Sequence, residues 1–362
     1  MKILHIINTL GMGGAERLLL DLAPRIIARG DRILILVLSP KGDRYGSQLR
    51  LAGAEVRYCR SKHIWSPKVV LEIAGELRRW DPDVVHVHLY PSVLWASLCN
   101  SRLSRALWML TEHNTRRRGM GFPFLLMIER WIYRRYDRII AISEAVKEGL
   151  IARLDDARVR ITVIPNGVDL ARFEYCSGRP FPANNEVFSL LMVARFTRQK
   201  DQATILRALF TLPPRFCCVF LGDGETLPEL ASQAKALGLE DRVEFAGARI
   251  EVPDFMARAN AYVQSSHWEG FGIAAVEAMA AGLPVIASAV PGLAEVVEGA
   301  GLLFPPGNAA ALAGTIESLA ADGSLAEDLV RRGRLRAKMF SIESNAAGYL
   351  AVYDSHDAGE VA

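Results

Sequence analysis

Cysteine is scarce in this 362-residue chain and long apolar runs are missing. The five cysteines, Cys59, Cys99, Cys176, Cys217 and Cys218, are odd in number, scattered, and include no C-x-x-C pair. That excludes a disulfide framework and a cysteine-built metal site, and it fits free thiols in a reducing cytosol. No uncharged stretch approaches the roughly 20 residues that cross a bilayer. The apolar residues 3–7 end at Asn8, too few for the core of a signal peptide. The expectation is a cytoplasmic protein, attached to a membrane at its surface at most. A large excess of one charge is also missing: 43 Lys and Arg stand against 40 Asp and Glu, a net charge of +3. That does not suit a dedicated nucleic-acid binder.

What is present is an ordinary globular composition, 51% hydrophobic and 23% charged, in a chain long enough for two domains of similar size. Residues 3–7 read as a buried parallel strand. The loop Gly11-Met12-Gly13-Gly14 follows, and residues 15–27 carry apolar positions at helical spacing. Strand, glycine loop and helix form the first unit of a doubly wound sheet. A dinucleotide fingerprint needs a third glycine at position 16, where Glu16 stands, which argues against a nicotinamide enzyme. Residues 32–38, 55–58, 83–88, 106–110 and 138–142 continue as strands, with helical patterns at 67–80, 92–103 and 122–136. The fold class is therefore α/β, with ligand expected at the strands' carboxyl ends.

Those ends carry the polar residues. His86 and His88 alternate on one strand and face the same side, but the neighbouring sequence offers no third ligand. Packing with hydrogen bonds is the better reading, and no metal site is assigned. His113 follows the fifth strand in Thr111-Glu112-His113-Asn114, Ser143 opens a helix as its N-cap or lines the cleft, and Asn166 lies in I-P-N-G-V-D. Between Arg102 and Arg138 stand nine arginines and three acids, interleaved with Trp108, Phe122, Phe124, Trp131, Tyr133 and Tyr136. Such a segment suits either a solvated basic helix face, or peripheral membrane contact and a lipid diphosphate acceptor.

Residues 172–186 have the glycine, proline and asparagine content of a linker. A second strand–helix series begins at 187–194 and continues through 216–221, 243–245, 261–264, 284–287 and 301–304. After its first strand, Arg195 and Lys200 stand five residues apart and can flank a diphosphate, one as a fork and one as a point charge. Gly222-Asp223-Gly224 and Gly247-Ala248-Arg249-Ile250 follow two further strands. Ser265 to Pro284 reads S-S-H-W-E-G-F-G-I-A-A-V-E-A-M-A-A-G-L-P, a glycine loop running into a helix closed by Gly282 and Pro284. Amides at such a helix start, with the helix dipole behind them, make a phosphate site. Glu269 on the loop and Glu277 in the second turn can accept hydrogen bonds from sugar hydroxyls.

The last segment resembles family 4 of the retaining glycosyltransferases, whose mark is E-x7-E, here Glu269 and Glu277 within S-x-x-E-G-F-G-…-E-A-M-A-x-G-x-P. G-G-A-E at Gly13, Gly14 and Glu16, His113 with Asn114, Ser143, Asn166, the R-x4-K pair and the Gly222 turn are similar to the family's other motifs. The resemblance implies the GT-B architecture: two Rossmann-like domains facing across a cleft, residues 1–170 for acceptor and 171–340 for donor. A helix at about 341–362 crosses back to the first domain. It implies a nucleotide-diphosphate sugar as donor, UDP being the commonest nucleotide, no metal or other cofactor, and a saccharide or lipid-linked acceptor, as in bacterial polysaccharide synthesis. By the same resemblance Gly13, Gly14, Gly222, Gly270, Phe271, Gly272, Ile273 and Ala274 approach the donor, and Arg249 and Ile250 meet its base. Glu277 holds the ribose, and Glu269 the sugar. His113 stands at the reacting carbon, Arg195 and Lys200 serve the leaving diphosphate, and Glu16 and Asn166 meet the acceptor. Two other readings of the same architecture remain: a nucleotide-sugar epimerase, which turns over donor without acceptor, and a scaffold that binds donor without releasing nucleotide.

Overall fold

The computed structural model describes residues 1–11, 13–61, 63–100, 105–114, 123–156, 159–176 and 186–355. Arg102, the arginines 116–118 and Phe122 of the basic segment lie outside them, as do Gly178, Pro180, Pro182 and both asparagines of the linker stretch. The chain forms two units, Met1–Gly167 with Ile342–Ala362, and Val168–Ser341.

The first unit contains strands β1 (Lys2–Ile7), β2 (Arg32–Val37), β3 (Glu55–Tyr58), β4 (Val84–His88), β5 (Leu107–Glu112), β6 (Arg138–Ala141) and β7 (Ile161–Val163). They make one parallel sheet in the order β3-β2-β1-β4-β5-β6-β7. Between them run α1 (Gly14–Ala28), α2 (Gly46–Leu51), α3 (Lys68–Trp80), α4 (Ser92–Cys99), α5 (Pro123–Tyr133) and α6 (Glu144–Leu154). The Ile, Leu and Val runs of β1, β2 and β4 are buried on both faces, as a parallel sheet covered by helices requires. β5 runs two residues beyond the expected end, so Thr111 and Glu112 are strand residues. β7, only three residues long, carries no sequence pattern of its own.

The second unit contains β8 (Phe188–Val193), β9 (Phe216–Leu221), β10 (Val243–Gly247), β11 (Ala261–Gln264), β12 (Val285–Ser288) and β13 (Gly301–Phe304), again parallel, in the order β10-β9-β8-β11-β12-β13. Its helices are α7 (Gln202–Thr211), α8 (Leu227–Ala236), α9 (Val252–Arg258), α10 (Ile273–Ala280), α11 (Pro291–Val296), α12 (Ala309–Ala321) and α13 (Gly323–Lys338). Residues 172–176 are not linker: they belong to a 3₁₀ turn, Leu170–Cys176, packed against α9 and α10.

The last helix, α14 (Ile342–Asp354), returns to the first unit. Ile342, Ala346, Tyr349 and Tyr353 join the core built on β1, β2 and α1, and Arg29, the C-cap of α1, pairs with Asp354 at 2.7 Å. No helix among the described residues is long and apolar enough to cross a membrane.

Candidate active site

In each sheet the strand order reverses direction once, between β1 and β4 and between β8 and β11. Ligands of open α/β sheets bind in the crevice at that switch point. In the second unit the two loops there are the ones the sequence singled out, Ala194 to Asp201 after β8 and Ser265 to Gly272 after β11.

The loops are tied together. Ser265 Oγ donates to the carbonyls of Lys200 and Asp201 at 3.1 and 2.7 Å, His267 N to Gln199 O at 2.8 Å, and Gln199 Nε2 to Trp268 O at 2.9 Å. The result brings Lys200 Nζ to 2.5 Å from Glu269 Oε2. The same oxygen accepts from Gln264 Nε2 at 3.0 Å and Ser266 Oγ at 3.1 Å. Gln264 in turn accepts from the hydroxyl of Tyr262 at 3.1 Å. Burial, with the charges of Glu277 and Glu269, pushes that phenol well above its usual pKa, so it stays a donor. Lys200 and Glu269, assigned by sequence to diphosphate and sugar, are thus partners of one another. Arg195, exposed at the start of its loop, has no ion-pair partner among the described residues.

Gly222 and Gly224 follow β9 at positive φ, directly under the Arg195 loop. A Cβ on Gly222 would fall 2.0 Å from Ala194 O and one on Gly224 2.2 Å from Phe196 O, so only glycine allows this approach. α10 begins at Gly272, also left-handed, with no side-chain cap on its first turn. Ala275 N and Val276 N bond back to Gly272 O, which leaves the amides of Ile273 and Ala274 to face a ligand. Glu277 lies a turn further on, its Oε1 3.9 Å from the Arg172 guanidinium of the 3₁₀ turn. Phe271 is 3% exposed and packs edge-on against Phe340, centroids 5.2 Å apart. Any contribution it makes to ligand binding is therefore through its backbone. Arg249 donates Nε to Ala246 O at 2.8 Å, and Ile250 beside it is exposed.

In the first unit, Glu16 is buried and turned back over Gly13, where a Cβ would meet its Oε2 at 2.2 Å; Thr9 Oγ1 donates to its other oxygen at 3.3 Å. Gly14 opens α1. Ser143 is the N-cap of α6, accepting from Val146 N at 3.1 Å. Asn166 is buried, its Oδ1 without a hydrogen-bond partner.

The missing third histidine is His5 on β1, next to β4. His5, His86 and His88 present nitrogens within 4.8 Å of one another, which corrects the expectation that none was near. The bonding nevertheless favours packing. His5 Nδ1 and His88 Nε2 are hydrogen-bonded at 3.0 Å, and both nitrogens of His86 are taken, by Tyr353 and Thr111 at 2.7 Å each. The remaining nitrogens, His5 Nε2 and His88 Nδ1, are buried without a hydrogen-bond partner. Burial drives all three imidazoles below their usual pKa, His5 to about 3, so they are neutral at pH 7. His113 follows, its ring 5.8 Å from that of His88 and its Nε2 buried without a partner. Burial lowers its pKa to about 4, although the charge of Glu112 opposes the shift.

Residues 12–172 match the family described as Glycosyltransferase Family 4, and residues 179–336 that described as Glycosyl transferases group 1. A glycogen synthase of Mycobacterium tuberculosis is 29% identical over 304 residues, 80% of this chain and 73% of the relative. A 2-deoxystreptamine glucosyltransferase of Streptomyces kanamyceticus is 29% identical over 317 residues, 80% of this chain and 82% of the relative. The crystal structure of Anabaena HepE in complex with UDP and glucose superimposes with a TM-score of 0.86 at 23% identity, covering 98% of this chain and all of the other. The chain has the GT-B fold, and each of its halves matches a glycosyltransferase family model.

Several groups around the motifs were not found from sequence. Gln264 fixes Glu269 but sits in an unremarkable strand end, Ser266 heads the S-x-x-E motif without a role having been given to it, and Arg172 faces Glu277 from a stretch that reads as linker. Gly292 at the start of α11 packs on the Glu269 loop, where a Cβ would meet Glu269 O at 2.5 Å. Its signal was present, a glycine just after a strand in V-P-G-L.

Proposed function

We propose that the protein is a retaining, metal-independent hexosyltransferase of family 4, moving a sugar from a nucleotide-diphosphate donor, with UDP as the nucleotide, to a saccharide or lipid-linked acceptor. The observation that carries this reading is the convergence of Lys200, Glu269 and the uncapped amides of α10 at the switch point of the second sheet. The neighbouring fold with UDP and glucose bound supports it. The Ile273 and Ala274 amides and Arg195 take the diphosphate, Glu277 the ribose, Glu269 the sugar hydroxyls, and Arg249 with Ile250 the base side.

The reaction breaks the bond between the anomeric carbon and the diphosphate oxygen. Charge grows on that oxygen while the carbon becomes oxocarbenium-like. Fixed cations and amide dipoles stabilise the departing charge without reorganising, a contribution of roughly a hundred- to a thousandfold for each good donor. Lys200 is shared between Glu269 and the diphosphate. The acceptor oxygen attacks the same face, its proton passing to the departing phosphate oxygen, so the configuration is retained. Neutral His113 supplies a hydrogen bond at the sugar beside the reacting carbon.

The acceptor side is proposed to meet a membrane. Phe124, Met127, Ile128 and Trp131 are all exposed along one face of α5 at helical spacing, with Arg135 over the Trp131 ring at 4.9 Å. Such a face suits the boundary of an anionic bilayer on its cytoplasmic side. Flotation with anionic vesicles, lost in Phe124→Ser/Trp131→Ser, tests this part; equal flotation of both proteins sinks it.

A panel of nucleotide sugars, scored by free nucleotide released with and without acceptor in excess EDTA, tests the activity itself. Acceptor-dependent release that survives EDTA is expected. Donor conversion without acceptor, or collapse in EDTA, overturns the reading.

A further inference from the structure

We infer that Glu112 is a positioning residue for this reaction: its carboxylate fixes the turn from which His113 reaches the sugar. This rests on the role given to His113 above.

Glu112 is the last residue of β5 and is 3% exposed. One oxygen, Oε1, accepts from the backbone N–H of both His113 and Asn114, at 3.1 Å each. The other accepts from the Tyr133 hydroxyl of α5. Arg153 of α6 stands 4.0 Å from that oxygen and 3.0 Å from Glu129, with its guanidinium over the Tyr133 ring. A buried carboxylate is costly unless it is hydrogen-bonded and a cation is near, and here three donors reach its two oxygens with Arg153 alongside. Two consecutive amides converging on one oxygen leave the backbone at His113 little freedom.

The arrangement also answers a conflict of charge. A carboxylate next to an imidazole favours its protonation, and Glu112 does act on His113 in that sense. Burial outweighs it, and His113 stays neutral. Arg153 near the far oxygen draws the negative charge away from the histidine side. Glu112 can therefore hold the loop without turning His113 into a cation.

A side chain that merely stabilised the strand end would act on folding and not on turnover. Four variants separate these roles: Glu112→Gln, Glu112→Asp, His113→Ala, and Glu112→Asp with His113→Ala. Gln keeps a carbonyl oxygen for the two amides and offers its amino group to Tyr133, so it should retain most of the turnover. Asp keeps the charge but withdraws the acceptor by one methylene, letting the loop drift. A displacement of about 1 Å costs up to roughly a hundredfold, so Asp should lower kcat about ten- to a hundredfold with the donor Kd changed less than about threefold. In the double variant the Asp substitution should add almost nothing to the loss from His113→Ala. The inference is overturned if Asp is as active as Gln, if Gln is the more impaired, or if the two losses multiply. If His113→Ala alone leaves kcat unchanged, the role of His113 fails first and this inference falls with it.

Discussion

Lys200 and Glu269, 69 residues apart in sequence, form an ion pair at 2.5 Å with only 15% and 11% of their side chains exposed. Glu269 is further held by Gln264 and Ser266, so the carboxylate has one fixed orientation. The pair locks the loop after β8 to the loop after β11, and each half of the candidate site depends on the other.

Removing one member should therefore harm both folding and catalysis. Lys200→Met leaves a largely withdrawn carboxylate without its cation, and Glu269→Gln leaves the ammonium without its anion. Each should destabilise by up to about 3 kcal/mol, while the double variant should cost less than the two singles together. Chemical denaturation of the four proteins measures this coupling. Turnover should fall by roughly a hundredfold or more in each single variant.

Glu277→Ala should weaken donor binding. Hydrogen bonds to a charged group contribute about 1.5–3 kcal/mol, which predicts roughly a ten- to hundredfold rise in donor Kd by calorimetry. Arg172→Ala, acting only through Glu277 at 3.9 Å, should raise it less. An unchanged Kd in Glu277→Ala removes the ribose role.

Gly222→Ala and Gly314→Ala should move stability in opposite directions. At Gly222 a Cβ meets Ala194 O at 2.0 Å and φ is +140°, whereas Gly314 inside α12 has nothing within 4 Å. The first should lose at least about 1–3 kcal/mol and displace Arg195 with its loop. The second should gain about 0.5–1 kcal/mol from helix propensity. Thermal denaturation distinguishes them.

Stability should fall on mild acidification. His5 and His113 are pushed down to about 3 and about 4 by burial, and His86 and His88 well below their usual value. Unfolded imidazoles titrate near about 6.5. The unfolded chain thus takes up protons first as pH drops below that value, and stability present at neutral pH is lost progressively down through pH 4. Each imidazole contributes a slope of about 1.4 kcal/mol per pH unit. Urea midpoints between pH 7.5 and 5 should show this slope, and His5→Asn should reduce it by one proton.

Much of the candidate site in the second unit was legible because its motifs are local. Gly272 starting α10, the Glu269 to Glu277 spacing, and Arg195 with Lys200 on one loop all lie within short windows where glycine and charge carry the signal. The rest depends on which strands lie side by side. His5 meets His86 and His88 because β1 lies beside β4, and no spacing along the chain announces that. Glu112 escaped notice because β5 was read as ending at Leu110, which made a buried strand carboxylate look like a loop residue. For Phe271 the motif gave no sign of where the ring goes: Phe340, far along the chain, supplies its partner.

The return of α14 to the first unit has a consequence for biogenesis. Tyr349 and Tyr353 are made only after the whole second unit, yet both are fully buried in the core of the unit made first. That half stays open at one flank throughout synthesis of the second half, which is uninterrupted in sequence and free to close earlier. The usual amino-terminal-first order of co-translational folding is thereby inverted, and the seal on the older half comes from residues made after the second half.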